Sequence, residues 1–590
     1  MQTRNPYLVT RALKTFMWGS ILAAVSSQIA TTTDAIVVSN LIGPNAISAI
    51  NLMTPVLTVF SCLMILFGIG ASIIAAKAIG RREENMANGV FTAAILSSAG
   101  SGIILAIATF IFSPFIVDVL TGGNPELYSL ALSYLQVMCV SVPFMMMAGV
   151  VENFVKTDGN PNIVMIAVIA GSCLNLILDI VFVKWLDMGI GGSAWATCLN
   201  YVLAIGLCFI HFRSPRNSLK WNLDRINIGS YVKQSVSQGF PMSINTLLLG
   251  GCILLINYIV LFAQGEDGIY CWSVCLQLFM IMQMVLTGIG SSIYSIGGIL
   301  VGEQDMEGLV ILNRKSILYT VASLTVVTIV ILIFPHFFGE LFGSRADNPV
   351  TILPFALRAF SIMLVPYSII ALLRSTYQIL GHIGLSLFLS IVQLLLMTGF
   401  VWGFSFISPE VLWWGFPSSS VALLIGVIIY TLRLRSLNPE LRPVTLIPEK
   451  EDTASFSISV KMTPQSVEKA DKEVADFLKK QAIDELTIYK VRLNCEELMH
   501  NIENHAVAGK REKHYFDLRI RVGKDTVNVL IKDDGRPFNP VIKEKDLKID
   551  SENPEDKIGL KIVNATSDNI SYKYMYDQNI VMLSFHLNTP

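Results

Sequence analysis

GSCLNLILDIVF, residues 171–182, is an apolar run holding one amide, Asn175, and one carboxylate, Asp179, a helical turn apart. An ionisable group is costly in lipid, so an acid inside a membrane-length segment faces a bundle interior or a wet cavity by default and marks a pathway for ions or substrates. The architecture therefore turns on whether this run crosses a membrane.

The composition says that it does. Of the 590 residues, 53% are hydrophobic and only 15% are charged, and the mean hydropathy is +0.58. Ordinary soluble proteins are roughly 25% charged. Segments without Asp, Glu, Lys or Arg recur through the first 440 residues, among them 234–265, 268–302, 316–339, 375–409 and 411–432. Each exceeds the ~20 residues that span a bilayer. Breaks at Gly, Pro and Asn divide the rest into twelve expected spans: 14–38, 47–78, 88–118, 126–155, 161–185, 190–213, 233–262, 268–300, 312–338, 352–378, 383–408 and 411–434. The first follows Arg4, Arg11 and Lys14 and is too long for a signal-peptide core, so it reads as an uncleaved transmembrane helix.

Charge placement adds a direction and a boundary. Basic residues cluster at the chain start, at Lys77, Arg81 and Arg82, at Arg213, Arg216, Lys220, Arg225 and Lys233, at Arg314 and Lys315, and at Arg433, Arg435 and Arg442. The intervening loops hold little beyond Lys184 and Arg345, so both termini are expected in the cytoplasm of a cell whose plasma membrane holds the protein. Residues 451–590 carry 21 of the 43 Lys and Arg and read as a separate, soluble domain. Net charge is −1, which gives no reason to expect a nucleic-acid partner. The nine cysteines lack metal-site spacing.

The two halves of the apolar region repeat. GIGASI from Gly68 echoes GIGSSI from Gly288, GRREE from Gly80 faces GEQDME from Gly302, and the turns at Gly159 and Gly381 and the prolines Pro143 and Pro366 keep an offset of about 222 residues. Six spans per copy make the copies parallel, a plan known in transporters. The expected fold class is a polytopic α-helical membrane protein of two six-helix bundles, residues 1–220 and 221–440. A linker at 441–452 and a domain at 453–590 follow.

TDAIVVSNLIGPNAISAINLMTPV from Thr33, FGIGASIIAAKAIGRREENMANG from Phe67, KTDGNPNIVMIAVIAGSCLNLILDIVF from Lys156 and GIGGSAWAT from Gly189 together resemble the multidrug and toxic compound extrusion (MATE) transporters over residues 10–435. That resemblance implies efflux of small organic, including cationic, substrates coupled to H⁺ or Na⁺. It also implies that Asp34, Asn175 and Asp179 belong to a cation site in the first lobe. Spacing is consistent: Asp34 and Asp179 each lie about 18–20 residues past the cytoplasmic end of their spans, ~27–30 Å along the axis at 1.5 Å per residue. Hydrated acids at the outer interface fit the spacing equally well. The second lobe lacks equivalents. The offset carries Asp34 to Ile256, beside Asn257, and Asp179 to Val401, and Gln393 is the nearest polar substitute in spans ten and eleven. Met145, Met146, Met147, Phe279, Met280, Met282 and Met284 can line a soft cavity or serve as packing.

Beyond LRPVTLIPEKEDTAS the pattern changes to alternating strands such as FSISVKM and VNVLIKD and two polar amphipathic helices near 465–482 and 484–507, an expected α/β sandwich. Glu497, Asn501 and His505 fall on one face of the second helix. Asp533 and Gly535 follow in IKDDGRPFNP, and KIGLKIV places Gly559 where a helix would open and hold phosphate at its N-terminus. In this order they resemble the GHKL (Bergerat-type) ATPases, above all the anti-sigma factor serine kinases, over residues 453–588. The resemblance implies ATP and Mg²⁺, with Glu497 as general base, Asn501 as metal ligand, Asp533 reading adenine and Gly535 and Gly559 in the nucleotide loops. It also implies an anti-anti-sigma-like protein partner. Lys557 departs from the pattern, standing where those ATPases have a glycine.

The leading expectation is a cation-coupled efflux antiporter with a regulatory nucleotide-binding or serine-kinase domain. A lipid or lipid-linked glycan flippase, which calls for a more basic cavity, and a membrane sensor joined to a kinase are the alternatives. No GxxxxGK[ST] loop is present, which argues against ATP-driven primary transport.

Overall fold

The computed structural model describes residues 4–214, 216–222, 227–341, 352–449, 453–481, 483–505, 514–541 and 554–587. They form two compact units. One comprises residues 16–305 and 312–447 and is helical. The other contains the C-terminal fold together with the chain start up to Thr15 and Met306–Ile311.

The helical unit runs α1 (Tyr7–Leu41), α2 (Pro44–Leu52), α3 (Thr54–Arg81), α4 (Glu84–Thr121), α5 (Pro125–Thr157), α6 (Pro161–Asp179), α7 (Gly189–Phe212), α8 (Ile228–Ser292), α9 (Gly298–Gly302), α10 (Met306–Ile333), α11 (Pro335–Leu341), α12 (Leu353–Ile379), α13 (Ile383–Ser405) and α14 (Gly415–Leu437). Eleven helices among the described residues are long and apolar enough to cross a membrane. The longest, Ile228–Gly302, is broken at Gly265, whose φ of 64° and ψ of −146° lie outside helical space. The twelve expected spans count the two arms of this helix separately.

The repeat seen in the sequence is also a contact in space. Gly80 and Gly302, 222 residues apart, meet: a Cβ on either would stand 3.0 Å from the other's Cα. The same Cβ on Gly80 would lie 2.2 Å from the Ile299 carbonyl oxygen, and that on Gly302 2.3 Å from the Lys77 carbonyl oxygen. Lys77 and Ile299 are again 222 apart, so the two copies touch reciprocally, as two units around a local two-fold axis must. Gly159 and Gly381 close equivalent turns at φ 90° and 92°, a region that side chains with a Cβ rarely enter. Between GIG and the loop glycine the second copy holds two residues more than the first, and there the helix widens into a π segment, Ile293–Gly297, which takes up extra length.

The expected linker begins as packed structure. Leu446 and Ile447 are fully buried, Leu446 joins a core with Ile370, Leu373 and Tyr377, and the Tyr377 hydroxyl donates to the Val444 carbonyl at 2.5 Å.

The C-terminal unit is an antiparallel five-stranded sheet in the order β1-β2-β3-β5-β4, from β1 (Ala454–Lys461), β2 (Tyr515–Val522), β3 (Thr526–Asp533), β4 (Asn569–Met575) and β5 (Gln578–His586). Helices α15 (Pro464–Lys479), α16 (Glu485–His505) and α17 (Pro554–Thr566) supply the second layer. In α15, Val467, Ala470, Val474 and Leu478 are buried at helical spacing, while Glu468 and Lys472 pair in solvent on the other face. Together with Phe516, Leu518, Val529, Ile531 and Leu583 they form one core.

The first turns of α1 belong to this same unit. Arg4 donates through Nε and Nη2 to Asp517 Oδ2 at 3.0 and 2.7 Å, an ion pair whose side chains are 5% and 6% exposed. The Tyr7 hydroxyl donates to Asp534 Oδ2 at 2.7 Å, Arg11 pairs with the same oxygen, and Gln578 Nε2 donates to the Leu8 carbonyl at 2.7 Å.

Candidate functional site

Helix α1 approaches its acid through three consecutive threonines. Thr31, Thr32 and Thr33 each donate to the carbonyl four residues earlier, satisfying their hydroxyls within the helix. Asp34 follows, half-buried. Asp179 is the last residue of α6, fully buried, and the chain continues into a second π segment, Ile180–Trp185. Such widened turns recur at functional positions.

The two carboxyl groups meet side chain to side chain. Ser193 of α7 donates to Asp34 Oδ1 at 3.0 Å, and Tyr134 of α5 lies within electrostatic reach of both acids. Neither Asp179 oxygen receives a hydrogen bond from the described residues, and the Asn175 amide nitrogen, 6% exposed in the residue as a whole, has no acceptor. Two carboxylates in contact repel unless a proton or a cation lies between them. A buried pair short of donors, beside an idle amide, is chemically suited to taking up and releasing one small cation. The Asp34, Asn175 and Asp179 of the sequence reading are thus brought together, and Asp179 is shielded from solvent by the protein around it.

Of the two roles open to the methionines, packing is the one seen beside the cavity between the bundles. A cavity of about 110 Å³ between the bundles is bordered by Asn153, Met242, Asn245, Gln283, Tyr294 and Arg374, among others. Met145, Met146 and Met282 are buried as packing, and Phe279 packs edge-on against Tyr367 at 5.5 Å. Gln393, the expected polar substitute, donates to the Tyr367 carbonyl at 3.3 Å instead of facing this space. Sequence reasoning missed Arg374, 5% exposed, although a cation set deep in an apolar span was the signal to read; the other cation of the helix, Arg358, is exposed.

In the C-terminal unit a second cavity of about 220 Å³ is bordered by Asn501, Asp533, Phe538, Pro540 and Asn579. Asp533 Oδ1 accepts from the Gly535 amide at 2.8 Å and Asn579 Nδ2 at 2.9 Å. Burial pushes the Asp533 carboxyl up to about 6, against those two donors, which pull it down. Asn501 Nδ2 donates to Glu497 Oε1 at 3.1 Å. A Cβ on Gly559 would lie 1.7 Å from Glu497 Oε1, so the glycine is what admits that carboxylate.

Gly559 lies inside α17, not at its opening as expected. The helix begins at Pro554, a residue whose fixed φ suits a first turn, and the glycine serves close packing against Glu497. The side chains of His505 and Lys557 lie outside the described residues. Glu497 and Asn501, one turn apart on α16, Asp533 at the end of β3, Gly535 just after it and Gly559 on α17 converge on one end of the sandwich. A buried acid for an exocyclic amine and an amide–carboxylate pair for a metal and a water form a donor set that suits MgATP.

Known proteins match this chain in both parts. A MatE family model matches residues 20–181, and a histidine kinase-like ATPase domain model matches residues 460–585. Multidrug export protein MepA of Staphylococcus aureus (strain N315) is 28% identical over 247 residues, 41% of this chain and 54% of that protein. The chain thus spans about half the length of the curated relatives it matches. Among solved structures, an outward-facing multidrug resistance MATE family transporter of the MOP superfamily aligns with a TM-score of 0.68 at 23% identity, over 74% of this chain and all of its own. A MOP superfamily transporter from Pyrococcus furiosus, described as having a binding pocket of reverse polarity, aligns at 0.66 and 23%, over 74% and 99%. The chain therefore has the fold of the solved MATE transporters, with one segment that matches the MatE model and a C-terminal segment that matches the histidine kinase-like ATPase domain model.

Proposed function

We propose that this protein is a plasma-membrane antiporter that expels small organic molecules in exchange for H⁺ or Na⁺, with both termini in the cytoplasm. The observation that carries the reading is the enclosed meeting of Asp34 and Asp179 beside Asn175. Cation binding there favours one arrangement of the two bundles and substrate favours the other. Each ligand shifts that equilibrium only by its differential affinity for the two states. The Gly80–Gly302 contact is one closed arrangement.

The C-terminal domain is proposed to regulate this cycle. Asp533 would read the adenine amine, Asn501 would hold Mg²⁺, Glu497 would orient or deprotonate an attacking hydroxyl, and Gly535 and Gly559 would leave room for the nucleotide. ATP would supply either its binding energy or a phosphoryl group for a serine on an anti-anti-sigma-like partner. A regulatory role is supported by the chain itself: Asp534, next to Asp533, holds Tyr7 and Arg11 on α1, the helix that also carries Asp34.

A flippase for acidic lipids or lipid-linked glycans is the second reading, because Arg374 gives the cavity the basic character that function calls for. Proteoliposomes containing the full chain, with imposed pH or Na⁺ gradients and ATP inside or outside, separate the readings. Gradient-driven dye movement supports antiport. Lipid movement without dye movement supports the flippase.

A further inference from the structure

Arg374 lies on α12 with its side chain almost wholly enclosed, yet its guanidinium borders the cavity between the bundles. One nitrogen donates to Asn245 Oδ1 at 2.7 Å, and no carboxylate pairs with it among the described residues. A buried cation without a counter-charge is strongly disfavoured, so such a site is built for a charge that arrives from outside.

The internal repeat shows that this lobe lacks a compensation the other has. Counting back from the turn glycines Gly159 and Gly381, Arg374 corresponds to Glu152 on α5. Glu152 has Lys156 one turn later, close enough to interact with it electrostatically. The position corresponding to Lys156 is Gln378, a neutral side chain already engaged with the Gln238 carbonyl and with the Tyr294 hydroxyl. The first lobe therefore has an opposite charge within electrostatic reach on its own helix. The second leaves a cation open to the cavity.

The rest of the lining suits an organic body around that point. Asn153, Gln283 and Ser291 offer neutral hydrogen-bonding groups, and Met242, Leu286 and Leu372 offer apolar surface. Tyr294 accepts from Ser375 at 3.0 Å, which ties the residue after Arg374 to the π segment and limits the freedom of the cation. A guanidinium held in this way presents a planar fork that matches the two oxygens of a carboxylate or the edge of a phosphate.

We infer that Arg374 forms an oxyanion subsite, and that the molecules this protein moves carry a carboxylate or phosphate on an otherwise apolar body. This rests on the cavity lying on the transport path. It also narrows the substrate class: zwitterions and organic anions are favoured over molecules that are only cationic.

A matched dye pair tests the inference. Rhodamine 110 bears a free carboxylate, and rhodamine 123 is its methyl ester with the same fluorophore. In proteoliposomes with the full chain, the ratio of KM for the acid to KM for the ester is measured in the parent, Arg374→Lys and Arg374→Gln. Loss of a charge-assisted hydrogen bond should move that ratio against the acid by about tenfold or more in Arg374→Gln, and by less in Arg374→Lys. A fluorescent phosphatidic acid, compared with the matching phosphatidylcholine, distinguishes a lipid source. An unmoved dye ratio with selective loss of phosphatidic acid movement supports the subsite and assigns it to lipid. Equal changes for acid and ester, and for both lipids, overturn it. If the parent moves neither dye nor lipid, the transport reading fails by itself. Equilibrium binding of the two dyes to the detergent-purified full chain then still decides the subsite, an unchanged acid-to-ester ratio in Arg374→Gln counting against it.

Discussion

Gly80 of the first bundle and Gly302 of the second press backbone to backbone, each occupying the space in which the other's side chain would stand. Backbone carbonyls cannot rotate out of the way as the end of a flexible side chain can. Gly80→Val and Gly302→Val should therefore force this end of the bundles apart, at a cost of about 1–3 kcal/mol as overpacking usually does. A lowered melting temperature of the full chain in detergent and slowed transport would show it. Gly100, with open space around its Cβ position, is the control, and Gly100→Ala should change little.

Asp34 and Asp179 should behave as one unit. Asp179→Asn is expected to abolish gradient-driven uptake into inverted vesicles, since an amide keeps the shape but cannot exchange a proton or balance Na⁺. Because it removes a like-charge contact, the melting temperature should hold or rise. The double variant Asp34→Asn with Asp179→Asn should lose no more transport than either single one, as expected for residues in direct contact. Normal coupling in Asp179→Asn would end the cation-site assignment.

Nucleotide binding should depend on pH through Asp533. Its carboxyl titrates at about 6 in the folded chain, above the ~3.9 of an exposed aspartate. That raised value favours the protonated form, so this group's contribution to stability is full below pH ~3.9 and is lost as pH rises through about 6. The amine of adenine requires the ionised acceptor. Affinity for MgATP on the full chain should therefore hold above pH 6 and weaken by up to roughly tenfold per unit below it. Asp533→Asn should weaken binding and flatten this dependence in titration calorimetry.

The hold of the chain start on the C-terminal sheet can be tested at Arg4. Arg4→Ala leaves Asp517 buried without its cation, a loss of about 3–5 kcal/mol for enclosed pairs. Part of the Asp517 charge stays compensated, because Ser459 Oγ donates to its other oxygen at 2.6 Å, so the lower end is expected. Hydrogen exchange over residues 7–15 should accelerate in Arg4→Ala. If instead those amides stay protected, the clasp does not depend on this pair.

Much of the helical architecture was legible because lipid leaves so few solutions: long uncharged runs, small-residue turns and a repeat of about 222 residues imply paired bundles. The ATPase-like end was legible through its motifs, yet β4 and β5 went unread: QNIVMLSFH alternates weakly between polar and apolar, and the clear alternation of NISYKY from Asn569 was passed over. Gly559 was placed at a helix start because a glycine there usually interrupts. Its packing against Glu497 depends on a helix about sixty residues earlier in the chain. Arg374 was passed over because local sequence does not say toward what a side chain points.

The amino-acid order by itself determined which segments are long and apolar enough to cross a membrane and how the copies repeat, because hydrophobicity and rise per residue are local properties. Only the tertiary structure decided that Asp34 and Asp179 face each other, that Gly80 meets Gly302, and that Arg374 looks into a cavity. The rotation of each helix about its own axis is set by packing against its neighbours, a property no single segment contains.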